Sequence, residues 1–179
     1  MKTFITVIIT LASLALLTLL FIFSGIFNPG ALKPHRHFTL WAINTTKDIS
    51  IEKRAKKISV PYLDDTTMIQ TGFSHYNEMC VVCHSAPGME ESEIAKGLYP
   101  HAPHIYRYAS KMDPKEIFWV VKNGIKMTGM PAFGPTHDDQ KIWAITSFIK
   151  NKLGNMTPEE YKAWQNKYKG EEMDDDEGE

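Results

Sequence analysis

The sequence predicts an all-helical protein in which one apolar N-terminal helix precedes a small helical domain. Three observations carry that prediction. From Phe4 to Phe27 no residue is charged, and Leu, Ile, Phe and Val dominate the run. Further along, Asp113-Pro114-Lys115-Glu116 supplies a side-chain acceptor, a proline in the first turn and a glutamate three residues after the acceptor, and Gly124 provides a stop. Nowhere does a long alternation of apolar and polar residues announce a strand.

The N-terminal run is long enough to cross a hydrocarbon core of about 30 Å as a helix. A cleavable leader would have an apolar region of only about 7 to 15 residues ending in small residues of the A-x-A kind, and neither condition is met. Residues 1–27 therefore read as an uncleaved signal anchor, with cleavage near Ser24 and Gly25 as the alternative. Flanking charge opposes the orientation argued below. Lys33, Arg36 and Lys47 follow the run, whereas only Lys2 and the α-amino group precede it, which by the positive-inside rule places the domain in the cytoplasm. Large following domains translocate with limited regard to such charges.

Residues 28–65 read as a linker or partly helical extension, opened by the helix-breaking Asn28-Pro29-Gly30. Its segment Ile49 to Ile58 is strongly basic, through Lys53, Arg54, Lys56 and Lys57. Such a helix either rests on anionic head groups or is a solvated charged face.

The domain proper is expected over residues 66–153. A first helix starts near Thr66 with Asp64 or Asp65 as its cap, a second spans Pro114 to Asn123, and a third runs from about His137 to Leu153 and ends at Gly154. In the third, Asp138 and Asp139 in the first turn and Lys150 and Lys152 in the last complement the helix dipole. Residues 154–179 form a C-terminal extension, with a short helix around Pro158 to Tyr168 and an acidic tail expected to be disordered.

With 179 residues, one domain plus extras is expected. Twenty basic and 21 acidic side chains leave a formal charge of −1, so no excess of positive charge points to nucleic acid. Only two cysteines are present, and they lie too close together to staple a fold. Cys80-Val81-Val82-Cys83-His84 is the C-x-x-C-H signature of c-type haem attachment. On one helical turn the two sulfurs face the same side, where each can form a thioether to a haem vinyl group, and His84 is carried under the iron as an axial ligand. A thioredoxin-like pair would sit in a βαβ setting, and zinc would require two more ligands at finger-like spacing.

An iron held on its other face by a thioether favours the ferrous state. Thr128-Gly129-Met130-Pro131-Ala132-Phe133-Gly134 is a loop whose glycines and proline exclude helix, and Met130 is the expected second ligand. Met127 is its rival, and His101, His104 and His137 remain alternatives for bis-histidine ligation. Met68, Met79 and Met112 read as core filling.

On these residues the chain resembles the class I cytochrome c family, in particular small membrane-anchored monohaem bacterial members. The resemblance covers about residues 66–153 and rests on C-x-x-C-H at 80–84 and T-x-M-P at 128–131. It implies a class I helical domain around one covalently bound haem c. It further implies a helix crossing at Gly72 and Tyr76 against Ile145 and Phe148, and it makes Pro103 the residue whose carbonyl receives the other N–H of the axial histidine. Trp119 would lie near a haem propionate or simply pack in the core.

The expected function is that of a membrane-tethered one-electron carrier cycling ferric and ferrous haem, not an enzyme. Ligation on both faces leaves no open iron site. The alternative is a haem c subunit of a larger membrane oxidase or dehydrogenase, and a third class is a gas sensor from which Met130 dissociates. Expected partners are redox proteins or a membrane respiratory complex. The expected location is the bacterial inner membrane, single-pass, with the haem domain facing the periplasm.

Overall fold

The computed structural model describes residues 1–168, so the acidic tail expected from the sequence lies outside the described residues. The chain divides into two compact units, Met1–Pro34 and a second beginning at His35.

The first unit is built on helix α1, Lys2–Phe23, a 22-residue element without a buried residue. Its length and composition suffice to cross a membrane, as about 33 Å of helix at 1.5 Å per residue. It stops four residues before the uncharged run ends. Ser24 caps it, and Gly25 takes a positive φ of 66° that a helix does not allow.

The second unit is all-helical among the described residues. Its centre is the crossing of α3, Thr66–His75, with α7, Asp139–Asn151. The two approach so closely that a Cβ at Gly72 would lie 1.9 Å from the carbonyl oxygen of Ala144 and 2.9 Å from Cβ of Phe148. Only a residue without a side chain fits there. Around this point Phe73, Tyr76, Ile145 and Phe148 are almost wholly buried. Asp65 caps α3 by accepting from the amide of Met68, and Asp138 caps α7 by accepting from that of Lys141. His137 therefore falls outside α7, its amide donating instead to Phe133.

Helix α6, Pro114–Asn123, begins and ends where its capping signals place it. It packs on α7, with Phe118 stacked on Trp143 at 4.1 Å between ring centroids. On α6 lies α2, His37–Ala55, a 19-residue helix within the segment that the sequence presented mainly as a linker. The chain between α2 and α3 is fastened as well, because the carbonyl of Leu63 accepts from both Ser147 Oγ (2.5 Å) and Asn151 Nδ2 (2.9 Å) on α7. Finally α8, Pro158–Lys167, closes over the crossing: the ring of Phe73 meets those of Tyr161, Trp164 and Phe148 at 5.3–5.4 Å.

Candidate functional site

The cysteine motif rides on the continuation of α3. After His75 the helix widens into a π-turn, Tyr76–Cys80, and then tightens into α4, Val81–His84. A π-turn inserts an extra residue into the helical register, a distortion found mostly at functional sites. Here it is held from outside. Asn77 Oδ1 accepts from Tyr161 Oη (3.2 Å) and Gln165 Nε2 (2.8 Å), both on α8.

Beyond His84 the chain turns sharply. Ser85 adopts a positive φ of 54°, a region that non-glycine residues seldom enter, and Tyr76 Oη donates to its carbonyl at 2.8 Å. Ser92 Oγ donates to the carbonyl of Val82 (2.5 Å) while capping α5, Glu93–Gly97. The turn bearing both cysteines is thus fastened at each end.

Cys80 is buried and Cys83 half-buried. Burial pushes the Cys80 thiol up to about 12, so it stays protonated at neutral pH. Among the described residues no three His, Cys, Asp or Glu side chains converge on a metal position.

His84 is half-buried, and its Nδ1 lies 2.8 Å from the carbonyl oxygen of Pro103. A carbonyl can only accept, so Nδ1 carries the proton and Nε2 keeps its lone pair. Burial lowers the His84 pKa, the Pro103 bond opposes that shift, and the nearby His104 adds to the lowering. The imidazole is therefore oriented and biased towards the neutral form that a metal binds.

Met130 belongs to a separate element, the loop after α6. Gly124 turns the chain with φ 64°, and a Cβ there would meet the Met130 carbonyl at 2.8 Å. Thr128 Oγ1 links the loop internally, donating to Ile125 and accepting from the amide of Met130. Phe133 and Gly134 then bond back to Val121 and Lys122 of α6. Met130 is half-buried against the core, whereas Met127, at φ 60°, is 97 % exposed.

The histidines considered as alternatives have other surroundings. His104 Nε2 is 2.8 Å from Glu91, and His137 lies between His75 and Phe133 while contacting Thr136. His101 is exposed. Trp119 is half-buried on α6. Sequence reasoning missed Asn77, Gln165 and the π-turn, since their pairing spans 88 residues and leaves no local signal.

An imidazole fixed by a backbone carbonyl, one residue past two thiols on a helix that crosses another at a glycine, is the architecture of class I c-type cytochromes. A cytochrome c domain of this kind, present in the chain, is an electron-transfer component. Residues 67–149 match the family described as cytochrome c oxidase, cbb3-type, subunit III. Over 95 residues the chain is 32 % identical to the gluconate 2-dehydrogenase cytochrome c subunit of Pantoea cypripedii, which covers 48 % of this chain. The chain spans about a fifth of that relative's length, 21 %. No solved structure matches it.

Proposed function

We propose that the protein is a membrane-tethered one-electron carrier holding a single haem c, and the observation that carries this reading is the 2.8 Å bond between His84 and Pro103 at the end of the cysteine motif. Two thiols on one turn, an imidazole whose Nε2 is left to bind a metal, and a loop-borne thioether form a donor set that suits haem and little else. Cys80 and Cys83 would hold it covalently, His84 would bind the iron on one side, and Met130 would bind it on the other. Bound haem supplies reversible one-electron chemistry between ferric and ferrous iron.

The chain's own residues do the rest. The Pro103 carbonyl orients His84 and strengthens it as a donor. Thr128 and Gly124 fix the loop that presents Met130. With His84 and Met130 both holding the group, little room would be left for a substrate, which would suit transfer between partners rather than catalysis. Helix α1 would anchor the chain in the bacterial inner membrane, with residues 66–153 as the haem domain on the periplasmic side.

The test is whether haem survives denaturation and acid-acetone extraction on the polypeptide, at one equivalent by its pyridine haemochrome. Cys80→Ser combined with Cys83→Ser is expected to abolish it. Haem extracted intact from wild type would contradict the reading.

A second reading, subunit membership in a membrane oxidoreductase, is favoured by the similarity to a subunit of gluconate 2-dehydrogenase. It predicts retention of stoichiometric partner subunits during mild detergent purification, and migration as an isolated chain would count against it.

A further inference from the structure

Helix α2 has one face committed and one face bare. Ala55 is buried, Leu40 and Ile51 are half-buried, and the helix packs on α6. On a period of 3.6 residues, positions 38, 41, 45 and 49 share a second face turned about 120° from the first. There Phe38 is 74 % exposed, Trp41 63 % and Ile49 46 %, and the two aromatic rings lie 5.7 Å apart. An aromatic pair open to water on an otherwise well-packed domain points to a surface that is covered in use.

Charge indicates what covers it. Residues 33–57 contain seven Lys and Arg against two acids. Both acids are already engaged, Glu52 by Lys56 at 2.6 Å and Asp48 by Lys47 at 3.3 Å. Lys33 and Arg36 stand just before Phe38, and Lys53, Arg54 and Lys57 gather at the other end of the helix. A helix with Trp and Phe on its bare face and cations at its ends matches a bilayer interface, where indoles sit at head-group depth and anionic lipids attract Lys and Arg.

Connectivity adds a third argument. Only residues 24–36 separate the end of α1 from the start of α2. Once α1 spans a bilayer, a contact between α2 and that bilayer is intramolecular, and a weak affinity suffices.

We propose that the face of α2 bearing Phe38, Trp41 and Ile49 lies on the surface of an anionic lipid bilayer, the same one that α1 crosses. This rests on the reading of α1 as a span. Its consequence is a haem domain held against the membrane instead of swinging on a flexible linker.

The test uses the full-length protein in lipid nanodiscs of anionic phosphatidylglycerol whose acyl chains carry bromine near the head-group end. Emission of wild type minus that of Trp41→Phe isolates Trp41 from the other three tryptophans, and the ratio to unbrominated discs cancels quenching by haem. We expect the Trp41 component to fall roughly twofold in brominated discs, as for an indole at the interface, and to recover partly when Lys53, Arg54 and Lys57 are changed together to Gln. Trp41 that stays unquenched in protein-loaded discs overturns the proposal and leaves the anchor intact. Trp41 shielded from aqueous acrylamide yet untouched by bromolipid indicates a protein occupant and also overturns it. Protein that elutes apart from the discs overturns the anchor reading, and this proposal with it.

Discussion

A methyl group at position 72 has nowhere to go. It would fall 1.9 Å from a backbone oxygen of the opposing helix, and backbone cannot rotate aside as a side chain can. Gly72→Ala must push α3 and α7 apart, and overpacking of this kind costs about 1–3 kcal/mol even where the core relaxes. Chemical denaturation is expected to show a loss at or above the upper end of that range. A loss below about 0.5 kcal/mol, the usual scale of neutral surface changes, would mean that the crossing is looser than described. Ser147 and Asn151 make a smaller contribution through one acceptor, the Leu63 carbonyl. Ser147→Ala should cost about 1 kcal/mol, because Asn151 still satisfies that oxygen, while Ser147→Ala with Asn151→Ala should cost more than the two single changes together. Features that depend on neighbours in sequence were legible beforehand: Cys80, Cys83 and His84 fall within one short motif, and the capping signals of α6 marked both of its ends. Asn77 was not legible, because an asparagine in a helix acquires meaning only when Tyr161 and Gln165 arrive from 84 and 88 residues away.

At the scale of elements, the π-turn at Tyr76–Cys80 is the departure from regular structure that most directly concerns the site. It shifts the helical register just ahead of Cys83 and His84, and α8 braces it through Asn77. This explains why the C-terminal extension packs tightly: Tyr161 is 1 % exposed, and Phe73 is surrounded by rings from α7 and α8. Tyr161→Ala removes a buried ring as well as a bond to Asn77, and large-to-small changes of this kind cost about 3–5 kcal/mol. Gln165→Ala removes only the bond, worth about 1 kcal/mol. Denaturation midpoints should preserve that order, and equal losses would show that α8 contributes through the hydrogen bonds alone. The sequence announced a short helix near Pro158 without saying what it covers, since its few apolar positions are compatible with either a packed or a solvated element. Helix α2 was obscured in the same way. Its charges gather in the second half, after Thr46, and the few residues it withdraws from solvent, such as Ala55 and Ile51, are small or medium in size.

For the whole molecule, the division at Pro34 separates a unit whose helix is long and apolar enough to cross a membrane from one with its own core. Replacing residues 1–34 with a cleavable leader should move the protein from the membrane pellet to the soluble fraction at high salt while leaving haem content unchanged. Persistent pelleting would show that the second unit holds the membrane without α1. The electron-carrier reading depends on a site built from parts far apart in the chain. His84 is fixed by a carbonyl 19 residues later, and Met130 stands on a loop pinned to α6. On the proposed reading, these two residues would hold the haem iron. The optical spectrum of the oxidised, full-length protein tests this most directly, with Met130→Ala measured beside wild type. Wild type is expected to show the weak far-red charge-transfer band of methionine-ligated ferric haem, and the variant to lose it. A wild type without the band, or a variant that retains it, would contradict the account.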